Sequence, residues 1–143
     1  MVTVNIELVQ KEYGFEAVDI HGNKARFDNS LDHGGQNFGV SPMQSMLMAL
    51  GTCSGIDVVS ILKKMRQDLT GYKMVITGER EKKELPAVWE KVHVVFYLNG
   101  SIEEAKANQA ITLSIEKYCS VAETLRRAGA SIIWELKLNE QAS

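Results

Sequence analysis

Residues 41–66 read SPMQSMLMALGTCSGIDVVSILKKMR, the longest apolar segment of the chain. Its apolar side chains recur at the three- and four-residue spacing of a buried helix face. They are Met43, Met46, Leu47, Leu50, Val58, Ile61, Leu62 and Met65. A second apolar line follows Met48, Ala49, Ile56 and Val59. A helix that is apolar around most of its circumference is normally wrapped by other structure, so we expect this one to be central.

The ends and the middle of this helix carry further signals. Ser41 is a favourable N-cap, and Pro42 fits the first helical position, where its missing N–H costs nothing. Gly51 and Gly55 flank Cys53, and each mid-helix glycine costs about 1 kcal/mol relative to alanine. The two glycines therefore indicate a break, a kink, two helices that meet near the cysteine, or a very close neighbour.

Before the helix, alternating apolar and polar residues predict three antiparallel strands in a meander. They are expected at residues 2–8, 13–20 and 24–28, and the first should be half-buried. A glycine-rich loop at 29–40 follows, as a flexible connector or a close approach of the backbone to something else. It is not a phosphate loop, because it lacks the GK[ST] ending.

After the helix, the pattern predicts a hairpin, two helices and a last strand. The strands are expected at 72–81, 88–98 and 130–138, and the helices at 102–119 and 120–128. Ser101 and Glu104 have the spacing of a capping box. In the second hairpin strand, one face should carry Val92, Val94, Phe96 and Leu98, and the other Trp89, Lys91, His93, Val95 and Tyr97. We predict one α+β domain over residues 1–143, without repeats or a linker.

Composition excludes several classes of protein. The chain of 143 residues is 45% hydrophobic and 24% charged, with a formal net charge of −2, so we expect neither nucleic acid nor an anionic membrane as a partner. The N-terminus does not resemble a signal peptide, and no stretch approaches the roughly 18 apolar residues of a membrane span. We expect a soluble cytoplasmic protein. Its histidines and cysteines are too scattered for a metal site.

The two cysteines are the candidates for chemistry. A nucleophilic cysteine must be a thiolate, which requires a helix N-terminus or a cation nearby. Cys119 begins the short helix, whereas Cys53 lies inside the long one, and Asp57 one turn later would disfavour a thiolate there. From composition and spacing alone, both are more typical of inert buried core residues, and Cys119 is slightly better placed for reactivity than Cys53. His93 is more typical of a solvent-facing strand position than of a catalyst.

Two segments together resemble one family. GGQNFGVSPMQSMLMALGTCSGIDV and, later, YCSVAETLRRAG are similar to the OsmC/Ohr family of osmotically induced and organic hydroperoxide resistance proteins. The resemblance covers nearly the whole chain. It implies antiparallel sheets wrapped around a long central helix, in an intertwined homodimer with its active sites at the interface.

The resemblance also implies a thiol-dependent peroxidase that reduces organic hydroperoxides. The cysteine matching Cys53 would attack the peroxide and become a sulfenic acid, and the one matching Cys119 would resolve it to a disulfide. A dithiol, lipoyl or thioredoxin-type reductant would reopen the bridge. No cofactor is implied beyond this external thiol.

The chain departs from the family pattern at one place. Peroxidatic members carry a glutamate directly after the helix-start proline, where it orients an arginine towards the thiolate. Here that position is Met43, followed by Gln44, and Arg26 is the arginine available before the glycine-rich loop. We expect Met43, Gln44 and Met46 to line the substrate pocket. The alternative is a non-peroxidatic protein that binds a small hydrophobic or thiol-reactive ligand in the same interfacial pocket.

Overall fold

A computed structural model describes residues 1–83 and 85–141. The chain forms two compact units, Met1–Met46 and Leu47–Ser143. The first unit holds the predicted meander, with β1 (Asn5–Gln10) antiparallel to β2 (Gly14–Val18) and β2 antiparallel to β3 (Lys24–Phe27). The prediction of a half-buried first strand is wrong for the single chain, because every residue of β1 except Gln10 is exposed. Ile6 and Leu8 keep 64% and 52% of their surface.

The glycine-rich loop is organised by one carboxylate. Asp28 is 4% exposed and accepts backbone N–H bonds from Asn29 at 2.7 Å, Gln36 at 2.9 Å and Phe38 at 3.1 Å. These bonds hold the pKa of Asp28 below its usual value, despite the opposing effect of burial. A side chain at Gly39 would collide with the backbone of Arg26. The loop is therefore closely packed against its own strand rather than a loose connector.

One continuous helix, α1 (Pro42–Lys64), follows the loop. Proline occupies its first position, as predicted, and the Ser41 hydroxyl accepts a long hydrogen bond from the Gln44 N–H at 3.4 Å. The boundary between the two units falls within α1, between Met46 and Leu47. By length and composition α1 could cross a membrane, so the expectation that no stretch approaches a span is wrong on those criteria. Core helices of soluble proteins meet the same criteria.

The glycines of α1 accommodate a close neighbour and do not break the helix. They face β4 (Asp68–Arg80), the first strand after the helix. A Cβ at Gly51 would lie 2.8 Å from Cδ1 of Ile76, and one at Gly55 would lie 3.6 Å from the Tyr72 hydroxyl. The small residues therefore let the strand pack directly on the helix that carries Cys53.

The second sheet has the order β4, β5 (Trp89–Ser101), β6 (Ser131–Leu138). The β4–β5 pair is the predicted antiparallel hairpin, but β6 runs parallel to β5, so the expectation of antiparallel strands throughout is wrong here. A parallel neighbour needs a crossover connection, and the helices between β5 and β6 supply it. We expect Trp89 on the outer face, but it is buried. A register shift between Glu79 and Arg80, opposite the start of β5, accompanies this burial.

The core of this unit lies on the inner face of β5. Val92, Val94, Phe96 and Leu98 are at most 1% exposed, which confirms their predicted alternation. The Phe96 ring meets the rings of Tyr72 and Trp134 edge to face, at centroid distances of 6.4 and 6.3 Å. Leu50, Val58 and Leu62 of α1 are also fully buried.

The crossover consists of α2 (Glu104–Leu113), a π-helical turn (Ser114–Tyr118) and α3 (Ser120–Arg127). The predicted capping box is wrong, because Ser101 still belongs to β5 and the N-cap is Glu103. The backbone N–H of Glu103 instead donates to the Gln67 side chain at 2.7 Å. The helical segment ends just before Cys119, as predicted, but its last turn is wider than an α-helix.

Candidate active site

The site is built where the crossover meets the middle of α1. Cys53 lies there half-buried, as a free thiol. The next residue, Ser54, is fully buried, and its hydroxyl donates within its own helix to the Leu50 carbonyl at 2.7 Å. Cys53 is thus held by a regular helical backbone, with part of its surface open.

Cys119 is placed by two different helices. It follows the π-helical turn and is the N-cap of α3, where its sulfur accepts the Ala122 N–H at 3.4 Å. Its own backbone N–H donates to the Ser114 carbonyl at 2.8 Å, which closes the wide turn. Cys119 is 2% exposed. The predicted location at the start of the short helix is confirmed, and it is much more buried than a helix end on a surface would be.

The structure makes the two cysteines neighbours. Burial raises the pKa of the Cys119 thiol to about 11, with a further rise from the neighbouring Cys53, while the Ala122 N–H acts in the opposite direction. Cys119 is therefore a thiol at neutral pH. Both cysteines are free in this structure.

Ser114 is the site residue that sequence reasoning missed. It is fully buried, and its hydroxyl lies 3.1 Å from the Ser54 carbonyl and 3.0 Å from Oδ2 of Asp57. The signal in the sequence was a polar residue at a helical position that should be apolar. Asp57, expected to disfavour a thiolate if it faced Cys53, has one carboxylate oxygen engaged by this serine.

A depression of about 290 Å³ opens on the outside of Cys119. Its lining combines cations, one carboxylate and hydroxyls: Lys117, Tyr118, Cys119, Ser120, Glu123, Thr124 and Arg127. Glu123 pairs with Arg127 at 2.9 Å and with Arg126 at 3.1 Å, and these guanidinium groups lower the pKa of the carboxyl.

The other predicted site residues are found in the first unit. Arg26 lies on β3, with its guanidinium 3.6 Å from Glu16 and 5.2 Å from the centre of the Phe38 ring. Met43, Gln44 and Met46 occupy the first turns of α1. Met43 is half-buried, and the other two are exposed. Their predicted roles towards the thiolate and the substrate stay predictions.

His93 takes no part in this site. It lies on the outer face of β5, 41% exposed, with Nε2 3.3 Å from Glu135 on the parallel neighbour β6. Across residues 1–83 and 85–141, no three histidine, cysteine or acidic side chains are grouped as metal ligands would be.

Several known proteins are similar to this chain in sequence and fold. Residues 33–135 match the family described as OsmC-like protein. Protein YhfA of Escherichia coli strain K12 is 45% identical over 89 residues, which span 62% of this chain and 66%, just under two thirds, of YhfA. A hypothetical protein from Aquifex aeolicus VF5 is 33% identical, with a TM-score of 0.80 over 98% of both chains.

The fold extends to more distant proteins. OhrB of Bacillus subtilis, an organic hydroperoxide resistance protein, has a TM-score of 0.62 with 96% of this chain and 98% of its own covered. Its sequence is 15% identical, so this likeness shows the fold alone. The family match covers most of the chain and agrees with the α+β architecture and the helix that carries Cys53. The chain therefore belongs to the OsmC family.

Proposed function

We propose that this protein is a thiol-dependent peroxidase that reduces organic hydroperoxides. The observation that carries the proposal is that two free cysteines are neighbours. One lies half-open on α1, and the other is buried where the crossover is hydrogen-bonded to α1. Family membership supports a redox role, and the name of the structural neighbour OhrB, an organic hydroperoxide resistance protein, suggests the substrate class. We assign Cys53 as the attacking and Cys119 as the resolving residue.

In the first step, the Cys53 thiolate attacks the terminal oxygen of the hydroperoxide. The O–O bond breaks, an S–O bond forms, and the alkoxide leaves with a proton as the alcohol. The sulfur loses two electrons and becomes a sulfenic acid. Cys53 suits this role because it is the more open of the two cysteines.

In the second step, the sulfur of Cys119 attacks the sulfenic acid and water leaves, which forms the Cys53–Cys119 disulfide. Burial keeps Cys119 protonated beforehand, so it does not compete for peroxide. An external dithiol, lipoyl or thioredoxin-type reductant then reduces the protein disulfide by thiol–disulfide exchange. The reductant becomes a disulfide, and Cys53 and Cys119 are free thiols again. We place this cycle in the cytoplasm, where thiols are kept reduced.

We propose Arg26 as the cation that favours the Cys53 thiolate, with Met43, Gln44 and Met46 lining the substrate pocket. Arg26 already has one carboxylate partner, Glu16. Replacement of Arg26 by methionine should slow peroxide reduction and move the pH dependence of the rate to higher pH. An unchanged pH profile would remove Arg26 from the mechanism.

We further propose a homodimer. In the single chain, one stripe of α1 is apolar and uncovered, because Met48, Ile56 and Val59 keep 48%, 68% and 44% of their surface. β1 is exposed as well. Contiguous apolar surface of this kind marks a contact with another chain. Sedimentation analysis should give twice the chain mass, and Ile56→Glu should give monomers.

A second candidate function is favoured by Met43, which stands where peroxidatic relatives carry glutamate. A neutral, flexible side chain there suits an apolar ligand better than it suits thiolate activation. Under this alternative, the same pocket binds a small hydrophobic or thiol-reactive molecule without turnover.

A coupled assay separates the two candidates. Wild-type protein is mixed with cumene or fatty-acid hydroperoxide and dihydrolipoamide or reduced thioredoxin, and alcohol production is followed. If the protein is a peroxidase, the wild type should turn over. Cys53→Ser should abolish this turnover, and Cys119→Ser should stop after a single oxidation. Binding of the apolar compounds without alcohol formation would establish the alternative.

A further inference from the structure

Ser114 connects the segments that carry the two cysteines. Its hydroxyl touches the carbonyl of Ser54, the residue that follows Cys53, at 3.1 Å. Its own carbonyl accepts the backbone N–H of Cys119 at 2.8 Å. A single buried residue therefore makes a hydrogen bond beside each cysteine, although the two are far apart in sequence.

Asp57 fixes the direction of this connection. Its Oδ2 lies 3.0 Å from the Ser114 hydroxyl, one helical turn beyond Cys53 on the same side of α1. A hydroxyl has one hydrogen to donate, so the two acceptors share it. The bond to a carboxylate is the stronger type, because one partner is charged. Asp57 thus keeps the Ser114 hydroxyl turned towards α1.

The π-helical turn gives this connection between the two cysteine segments its geometry. Ser114 opens the π-helical turn, and the bond from Cys119 to Ser114 closes it. Single π-helical turns inside helices are rare and are often found at functional sites. The extra residue in the turn changes the direction of the chain just before Cys119, which then caps α3 with its sulfur, as a neighbour of Cys53.

We propose that Ser114 is a positioning residue for the cysteine pair, with Asp57 as its anchor. The bracket, defined as Ser114, Asp57 and the Ser54 carbonyl, holds the Cys119 sulfur at the Cys53 sulfur and so raises the effective concentration of one thiol at the other. This inference deepens the proposed function, because the pair it positions is the proposed peroxidatic and resolving pair.

The test uses glutathione rather than peroxide, so it does not depend on peroxidase activity. Reduced protein is equilibrated with mixtures of reduced and oxidised glutathione, the thiols are alkylated, and the disulfide fraction is measured by mass spectrometry. The glutathione disulfide breaks as the Cys53–Cys119 disulfide forms. Two electrons pass to glutathione, and the two thiol protons of the protein end on the two glutathione molecules.

Ser114→Ala should weaken the protein disulfide about tenfold, which makes its reduction potential about 30 mV less negative. Asp57→Ala should shift it in the same direction. Asp57→Asn should restore most of the wild-type potential, because the amide oxygen still accepts a hydrogen bond from Ser114. Asp57 is only half-buried, so its variants keep the test available even if Ser114→Ala folds poorly.

Ser54→Ala is the matched control. It also removes a buried serine hydroxyl, beside Cys53, but among residues 1–83 and 85–141 that hydroxyl bonds only within α1, and the carbonyl used by the bracket is kept. It should lower stability without shifting the potential. The proposal is overturned if folded Ser114→Ala or Asp57→Ala keeps the wild-type potential, or if Ser54→Ala shifts it as far. An absence of peroxidase turnover alone would refute the proposed function and leave this inference standing.

Discussion

The two glycines that flank Cys53 make opposite predictions for the same substitution. In a helix interior, alanine is about 1 kcal/mol more favourable than glycine, and this gain applies equally to Gly51→Ala and Gly55→Ala. The new methyl group at Gly55 would lie 3.6 Å from the Tyr72 hydroxyl, an ordinary contact. Gly55→Ala should therefore raise the free energy of unfolding by about 0.5–1 kcal/mol.

At Gly51, the methyl group would lie 2.8 Å from Cδ1 of Ile76, closer than two carbon atoms can stay. Ile76 must rotate away from its preferred conformation, at a cost of about 0.5–1.5 kcal/mol. This cost offsets the gain in helix propensity, so Gly51→Ala should leave stability nearly unchanged. We expect the two variants to differ by about 1 kcal/mol.

Urea unfolding followed by circular dichroism measures this difference. All proteins should be compared at one concentration, because association with a second chain would add to the apparent stability. Equal stabilisation by the two alanines would refute the close packing of β4 on α1 at Gly51. A double variant with Ile76→Val should recover part of the gain lost in Gly51→Ala, because the colliding Cδ1 is then absent.

Three further predictions test other parts of the chain. Gly78→Ala should lower stability by about 1–3 kcal/mol in urea unfolding, because the methyl would press on the rigid ring of Trp89 at 2.8 Å; stability at the wild-type level would contradict that packing. Cys119 should react with iodoacetamide far more slowly than Cys53 in the folded protein at pH 8, since its raised pKa and burial keep it a buried thiol; equal rates, read by mass spectrometry, would be the contrary result. Because the pKa of Asp28 is lower in the folded protein than in the unfolded chain, its ionised form stabilises the fold at pH values above the unfolded-state pKa. This stabilisation is lost as the pH falls through the folded-state pKa. Asp28→Asn should therefore lower the melting temperature at pH 7 and flatten its fall in acid, and an unchanged acid dependence would contradict the assigned role.

Local signals predicted the long helix well. The apolar spacing and the Ser-Pro start were enough to locate α1, because helix formation depends on neighbours within one or two turns. The two glycines left open whether it was one continuous helix. The same reasoning found the meander and the hairpin. It also placed Cys119 at a helix start, where the structure shows it as the N-cap of α3.

Features that depend on distant contacts were not predictable in this way. Local patterns predicted the helices between β5 and β6, but they do not encode which strand β6 joins or that it runs parallel to β5. Trp89 is buried because of an irregularity in strand pairing, and alternation assumes none. The exposure of β1 in the single chain has the same kind of cause, since alternation shows which residues prefer burial but not what covers them.

The candidate site was also only partly predictable from local patterns. Each cysteine could be assigned to a helix, but their contact joins segments that are remote in sequence, and only family resemblance indicated it. The role of Ser114 was hidden for a further reason. A buried serine and a π-helical turn are recognised by their partners, here Ser54 and Asp57, and partners across helices cannot be counted from spacing along one of them.

We propose that Cys53 and Cys119 form one redox pair. Reduced protein should be treated with one equivalent of cumene hydroperoxide, quenched with an alkylating agent and examined by peptide mass spectrometry. We expect a Cys53–Cys119 disulfide in the wild type, a dimedone-trapped sulfenic acid on Cys53 in Cys119→Ser, and no oxidation of Cys119 in Cys53→Ser. A wild-type protein that keeps both thiols free after exposure to hydroperoxide would contradict it.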